Sequence, residues 1–82
     1  MLHLKKELTM EKKKFNLKLA LLGYPLVTRD GHCALITGLT ASYEYPLIGV
    51  VLQGGSLLKH TWTLDGKWDV SIDESYNDLF MG

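Results

Sequence analysis

The sequence has a single cysteine and no long apolar run, and each shortage excludes a class of protein. Of the 82 residues only Cys33 carries a thiol, so no disulfide can form within the chain. A lone thiol favours a reducing compartment. No stretch approaches the roughly 18 apolar residues of a membrane-spanning helix, and the basic start is followed by more charge rather than the apolar core of a signal peptide. The sequence therefore predicts a cytoplasmic protein that does not engage a membrane.

Side-chain groupings that perform catalysis or bind metals are equally scarce. His32 and Cys33 are adjacent, so on a strand they point to opposite faces and cannot act together as a base and a nucleophile. His32 and His60 lack the third ligand that a metal site needs. The acidic residues within 73–78 do not have the ligand spacing of a calcium loop. We therefore expect that the protein is not an enzyme, uses no metal or cofactor, and has no evident small-molecule substrate.

The formal net charge is zero, but the charges are sorted along the chain. Residues 1–14 sum to +3, residues 15–64 to +1 and residues 65–82 to −4. Because the first stretch lacks a sustained apolar period, we predict a basic flexible leader at 1–14 and a single small β domain at 15–82. The two charged ends are interpreted as solvated surfaces, and the alternative is a leader that acts as a basic arm for a phosphate backbone or an acidic partner.

The β domain is predicted to open with a short helix. Asn16 is a good N-cap residue, and residues 17–22 are strong helix formers. Gly23 can adopt the left-handed conformation that ends a helix, and Pro25 prevents its continuation. Two turns of helix are unstable alone in water, so this helix is expected to pack on the rest of the domain.

From Tyr24 onward the apolar residues recur at every second position, which is typical of strands. We predict five strands, at residues 24–28, 32–40, 45–52, 57–63 and 67–72. Gly38 and Gly49, inside two of them, indicate bulges or a close-packed bend. The apolar residues 79–81 are expected to dock on the sheet as a short strand or one helical turn, with Phe80 buried.

Five sequential strands at this spacing predict a mostly β fold with one short N-terminal helix (α+β), arranged as a five-stranded antiparallel meander. The favoured architecture is an SH3-like small barrel, and the second is a curled open sheet capped by the helix. In an open sheet the edge strands would be poorly protected, whether these are the first and fifth predicted strands or others, and the strand at 24–28 carries no charge at all. Proteins protect such edges or pair them, so in that case we expect a two-fold dimer through paired edges.

Four side chains are candidates for contact with a partner. Arg29 and Asp30 flank a tight turn, although an aspartate in such a turn commonly bonds its own backbone. Trp62 and Trp68 flank the predicted Asp65-Gly66 hairpin. Tryptophans anchor a protein partner or stack on a base when they are exposed, and form the core when they are buried.

The same turns and strands carry a resemblance to a protein family. The segments FNL (15–17), GYPLVTRDG (23–31), YPLIGV (45–50), TLDGKW (63–68) and DLFM (78–81) resemble, in this order, short uncharacterised proteins of gut bacteria and their phages. The resemblance covers residues 15–81 and leaves residues 1–9 outside. It implies one domain in a mobile-element setting. Because the family has no established activity, it implies no site residue.

Two functions from different classes are compatible with these features. A protein-interaction module, such as a phage or mobile-element accessory protein that binds or inhibits a host factor, needs only a sheet face or edge. A nucleic-acid-binding small β-barrel would use the basic leader, but it would also need basic residues among the aromatics of the sheet, which this sequence does not provide. We therefore expect a protein partner or self-association, with the charge of the folded part as the discriminating observation.

Overall fold

The computed structural model describes residues 12–82 and shows a mostly β protein with one short helix. The elements are α1 (Leu17–Leu21), β1 (Leu26–Thr28), β2 (Cys33–Leu39), β3 (Leu47–Gln53), β4 (Ser56–Trp62) and β5 (Leu79–Met81). All five strands belong to one antiparallel sheet in the order β4-β3-β2-β1-β5. The first four strands form a meander, and β5 returns to pair with β1 at the far side. The predicted fold class is therefore confirmed.

The sheet is open, so the second predicted architecture is right and the SH3-like barrel is wrong. The edge strands β4 and β5 lie at opposite ends of the sheet and do not pair. Closing a barrel requires strands that tilt and stagger against one another. β1 and β5 have only three residues each, which leaves them too short for this.

The helix forms where the sequence predicts it. The Oδ1 atom of Asn16 accepts a hydrogen bond of 3.0 Å from the backbone N–H of Leu19, which is the expected N-cap contact. The helix ends after Leu21 because Gly23 adopts a φ of +93°. Ala20 is fully buried against the sheet, as expected for a helix too short to stand alone.

The predicted fifth strand at residues 67–72 is wrong, because this stretch belongs to the long connection between β4 and β5. The backbone N–H of Trp68 donates to the carboxylate of Asp78 instead of to a neighbouring strand. The Nζ atom of Lys67 donates to the carbonyls of Ile72 and Asp73, so the chain folds back on itself. The last place in the sheet is taken by β5, which is one of the two forms expected for residues 79–81.

The hydrophobic core lies between one face of the sheet, called here the inner face, and the helix with the 63–78 connection. It consists of Ala20, Leu26, Ala34, Ile36, Leu47, Val51, Trp62 and Leu79. Phe80 was expected in this core, and that expectation is wrong: Leu79 is 3% exposed and takes the buried position, whereas Phe80 is half-buried. Adjacent residues of a strand point to opposite faces, so only one of the two can be a core residue.

Gly49 lies where β2 and β3 approach most closely. A Cβ atom at this position would lie 2.2 Å from the carbonyl oxygen of Leu35, which no real contact allows. Immediately beside it the register of the two strands shifts between Ile36 and Gly38. The two strand glycines thus mark a bulge, which the sequence indicates, and a close approach of the two strands, which the structure adds.

Most of the predicted leader, residues 1–11, lies outside the described part of the chain. Its last residues are described, and Lys13 forms an isolated antiparallel bridge with Met81 at the end of β5. The backbone N–H of Met81 donates to the carbonyl of Lys13 at 2.9 Å. This end of the predicted leader therefore contacts the outer edge of β5.

Candidate functional site

Arg29, the first of the predicted partner-binding residues, binds within the protein. Its Nη2 atom lies 3.1 Å from a carboxylate oxygen of Asp78, and its Nε atom donates to the carbonyl of Ser75 at 3.1 Å. The guanidinium also lies 5.0 Å from the centre of the Phe80 ring, in the geometry of a cation–π contact. Arg29 therefore fastens the end of β1 to the connection that precedes β5.

Asp78 is the centre of this network, and it is 4% exposed. One carboxylate oxygen accepts the backbone N–H of Trp68 at 3.0 Å, and the other accepts the backbone N–H of Ser75 at 2.9 Å as well as Arg29. Burial alone would raise the pKa of Asp78, but the hydrogen bonds from Trp68, Ser75 and Arg29 outweigh it and hold the pKa below its usual value. The group is thus a structural carboxylate that stays ionised, and the sequence marked it only as part of an acidic end.

Asp30 bonds within its own turn, but its carboxylate contacts the side chains of Thr28 and His32 and not the backbone that the structural interpretation expects. Its carboxylate accepts the hydroxyl hydrogen of Thr28 and lies 2.9 Å from Nδ1 of His32. The hydrogen bonds from Thr28 and then His32 lower the pKa of Asp30. Its side chain is 31% exposed, so a partner can reach it only in part.

The two tryptophans occupy different environments. Trp62 is 0% exposed, and its indole N–H donates to the carbonyl of Asn77 at 2.8 Å, so no part of it faces a partner. Trp68 is half-buried, and its indole N–H donates to Nδ1 of His60 at 3.0 Å. The His60 ring lies near both indoles, with its centre 5.9 Å from that of Trp62 and 6.1 Å from that of Trp68.

The four predicted residues therefore do not form one exposed site. The guanidinium of Arg29 and the backbone N–H of Trp68 both donate to the carboxylate of Asp78. The indole N–H of Trp62 donates to the carbonyl of Asn77, and the backbone N–H of Asp30 donates to the carbonyl of Tyr76 at 3.3 Å. What they share is the 63–78 connection, which they hold against the sheet. All four thus make contacts within the protein, and contact of Arg29, Asp30 or Trp68 with a partner stays a prediction.

The described chain has an exposed apolar surface that the sequence interpretation missed. The side of the sheet opposite the core carries an outer-face patch, which consists of Cys33, Leu35, Val50, Leu52 and Leu57. Leu35, Leu52 and Leu57 are 42%, 46% and 67% exposed. The patch surrounds a shallow depression of about 230 Å³. Its members are neighbours in space because Leu35 pairs with Val50, and Leu52 with Leu57.

The sequence does contain a signal for this surface. β3 carries apolar residues at both the odd and the even positions of Leu47–Gln53, a pattern typical of a strand that is covered on both faces. β3 does lie inside the sheet, as this pattern predicts, but Val50 and Leu52 on its second face are not covered by α1 or by the 63–78 connection. An apolar strand face thus reaches the surface.

The edge of the sheet at β4 is open. Gly54 and Gly55 form a two-residue turn with φ values of +60° and +80°, and Gln53 pairs with Ser56 across it. In an antiparallel hairpin the backbone groups of alternate residues face the partner strand. Those of Leu57, Lys59 and Thr61 therefore point away from β3, and they form no hydrogen bond with any other described residue.

The opposite edge, at β5, is covered. The N–H of Leu79 donates to the carbonyl of Gly66, and that of Met81 donates to Lys13, both at 2.9 Å. The strand at residues 24–28 is not a bare edge. It forms β1, which lies between β2 and β5, so both of its sides are paired. The open edge belongs to β4 instead, and it carries a single charge, that of Lys59.

A cleft of about 620 Å³ lies between the start of α1 and the turn at 64–67. Two of the cations that line it are already engaged: Arg29 binds Asp78, and Lys67 donates to two carbonyls. Across residues 12–82 no three His, Cys, Asp or Glu side chains lie close enough to hold a metal ion. In the same part of the chain no helix is long and apolar enough to cross a membrane.

Comparison with known proteins assigns the family. Residues 12–79 match the sequence model of the family described as Haemophilus phage HP1 protein YO09. The chain belongs to this family. No curated protein and no solved structure matches it. The YO09 match confirms the phage-related setting that the resemblance implies, while the distribution among gut bacteria stays a prediction.

The YO09 match covers nearly all of the described fold. It begins at Lys12, beside the bridge between Lys13 and Met81, and ends at Leu79, the buried residue of β5. Within it lie both the network around Asp78 and the outer-face patch. The family model thus covers the segment that carries both of these features, whereas Phe80 and Met81 lie beyond it.

Proposed function

We propose that this YO09-family domain is a protein-interaction module: a phage accessory protein that binds a host protein through the outer-face patch. The observation that carries the proposal is the exposure of the patch itself. Contiguous apolar surfaces on small domains mark sites of interaction, because they are otherwise a liability for solubility. Fold stability does not require them at this face, since the core lies on the other side of the sheet.

Charge favours a protein partner over a nucleic acid. Residues 15–82 carry four basic and seven acidic side chains, a net charge of −3. Lys59 is the only basic residue in the five strands. A phosphate backbone would be repelled by this domain, whereas an apolar protein surface would not. This is the discriminating observation named for the two functions, and it supports the protein-interaction module.

Lys13, whose contact with the sheet is described, does not change this balance at the patch. Lys13 contacts the end of β5, and β5 lies at the edge of the sheet opposite β4. Leu57 belongs to β4, and Leu52 to the neighbouring β3. Lys13 therefore lies beyond the far edge of the sheet, and among the described residues the patch is an uncharged surface apart from the neighbouring Lys59.

Affinity capture tests the proposal: the protein is used as bait in a nuclease-treated host lysate, and the host proteins it binds are compared with those bound by a variant that lacks the patch. Leu35→Lys combined with Leu52→Lys places two charges on the outer face, at positions that are already exposed, so the fold should survive. The matched control is Leu22→Lys, on an apolar residue that is 67% exposed at the end of the helix. We expect wild type and control to capture the same host protein, and the double variant to lose it.

Two outcomes of this experiment would contradict the proposal. One is capture of the same protein by the folded double variant, which would place the binding surface elsewhere. The other is loss of every captured protein on nuclease treatment, which would favour the nucleic-acid function. Circular dichroism of the variants verifies that any loss of capture comes from a folded domain.

A further inference from the structure

We propose that the open edge of β4 pairs with β4 of a second copy of the chain, which gives a two-fold dimer with one continuous ten-stranded sheet. The proposal does not depend on what binds the outer-face patch. It rests on the backbone groups of Leu57, Lys59 and Thr61, which point away from β3 and have no partner among the described residues. Such a row is a template for a further strand.

Features that normally prevent strand addition are scarce at this edge. β4 is paired with β3 over seven consecutive residues without a bulge, so the edge is regular. It contains no proline, and Leu57 and Leu58 are 67% and 42% exposed on its two faces. Its one charge, on Lys59, extends from the outer face and does not block the approach of a strand along the edge.

One register of the dimer satisfies both the backbone and the side chains. Identical strands that pair antiparallel about a two-fold axis place one residue opposite its own copy. If that residue were Lys59, two ammonium groups would face each other, which is unfavourable. If it is Leu58, two leucines meet at the axis on the inner face. Lys59 of each copy then lies opposite Leu57 of the other, and its methylene chain can cover that leucine.

The Leu58 register also satisfies the backbone. Leu57 of each copy faces Lys59 of the other, and both residues have their N–H and C=O groups directed outward. Each such pair exchanges two hydrogen bonds, so the two pairs would form four between the copies. From His60 onward the edge is flanked by Tyr45, Trp68 and Asp69, which line a groove beside it. In this register the second copy presents its smallest segment there, the glycine turn at 54–55.

The second copy extends a surface that is already present. A two-fold axis perpendicular to the sheet keeps the two outer faces on the same side, so the two outer-face patches become neighbours through Leu57. The other edge, at β5, has its N–H groups bonded to Lys13 and Gly66. The assembly therefore closes at two copies instead of growing into a fibre.

Cysteine cross-linking tests the dimer and its register together. In a Cys33→Ser background, Leu58→Cys places two thiols at a pair whose Cα atoms would be about 4.5 Å apart, within the range that a disulfide spans. Leu57→Cys is the matched control, because two residues of offset place its Cα atoms about 8–9 Å apart, beyond that range. Under mild oxidation we expect a covalent dimer from Leu58→Cys and little from Leu57→Cys.

A second pair of variants tests the edge without a thiol. Lys59→Pro removes an outward N–H and leaves the bonds between β3 and β4 intact, whereas Lys59→Ala removes only the side chain. Light scattering at micromolar concentration should show a dimer for wild type and Lys59→Ala, and a monomer for folded Lys59→Pro. A monomeric wild type would overturn the proposal, and equal cross-linking at positions 57 and 58 would overturn the register. A monomer that still captures a host protein would refute the dimer alone and leave the proposed function intact.

Discussion

At the scale of single residues, one buried carboxylate organises the least regular part of the fold. Asp78 accepts two backbone N–H groups and the guanidinium of Arg29, and it thereby anchors the 63–78 connection to the end of β1. Composition and spacing could not reveal this role, because the partners at Trp68 and Arg29 are distant in sequence. The sequence therefore does not show that Arg29 and Trp68, two of the candidate partner-binding residues, both donate to this carboxylate.

We predict that Asp78→Ala lowers the free energy of unfolding by about 3 kcal/mol, because it leaves two N–H donors and a partly buried guanidinium without their acceptor. Chemical denaturation at neutral pH measures the loss. Ser71→Ala is a suitable control, because Ser71 is an exposed residue of the same connection whose side chain bonds only Asp69. An Asp78→Ala variant as stable as this control would contradict the role of the carboxylate.

The same residue makes the stability of the protein depend on pH. The pKa of Asp78 is lower in the folded than in the unfolded chain, so its contribution is present above the unfolded value of about 3.9 and is lost as the pH falls through the folded one. We expect the stability of wild type to fall on acidification below about pH 4 more steeply than that of Asp78→Ala. Parallel curves would show that the carboxylate is not the group that titrates.

At the scale of the elements, sequence succeeds where the signal is local. Asn16 and Gly23 define the helix, and the Gly54-Gly55 turn fixes the hairpin of β3 and β4, because each contact lies within a few residues. The strand predicted at 67–72 fails for the opposite reason. Its alternating apolar residues satisfy the pattern of a strand, but the N–H of Trp68 is captured by a carboxylate ten residues away, and no adjacent strand competes for it.

The close approach of β2 and β3 at Gly49 predicts that a side chain there destabilises the fold, and Gly38 in β2 provides a matched control. Gly49→Ala would place a methyl group 2.2 Å from a backbone oxygen of Leu35, so the strands must separate. We expect a loss of about 3 kcal/mol or a failure to fold, as for severe overpacking. Gly38→Ala, for which the nearest side-chain atom lies at an ordinary 3.8 Å, should cost less than about 1 kcal/mol. Thermal unfolding measures the melting temperatures of the two variants. Similar values would contradict the close contact between Gly49 and the backbone of Leu35.

At the scale of the whole molecule, the sequence predicts the class of the fold but not how the sheet ends. Whether a meander closes is decided by contacts between distant segments: β5 pairs with β1, and Lys13 and Gly66 cover its other side. None of these pairings has a local signal. The open edge and the outer-face patch follow from that long-range arrangement. This is why the sequence could name an uncharged strand at 24–28 as a possible edge but could not show that the open edge is β4.

A dimer that forms through β4 makes the thermal stability depend on protein concentration, because mass action favours the associated folded state. For two copies that unfold together, a tenfold rise in concentration adds about 0.7 kcal/mol per chain, which for a domain of this size corresponds to about 4 °C in the melting temperature. Wild type and Lys59→Ala should show this dependence, and Lys59→Pro should lose it, since only proline removes the outward N–H that the second copy needs. A melting temperature that is constant over two decades of concentration in the wild type would mean that the edge of β4 stays unpaired in solution. The open edge would then be a surface for strand addition by a different protein.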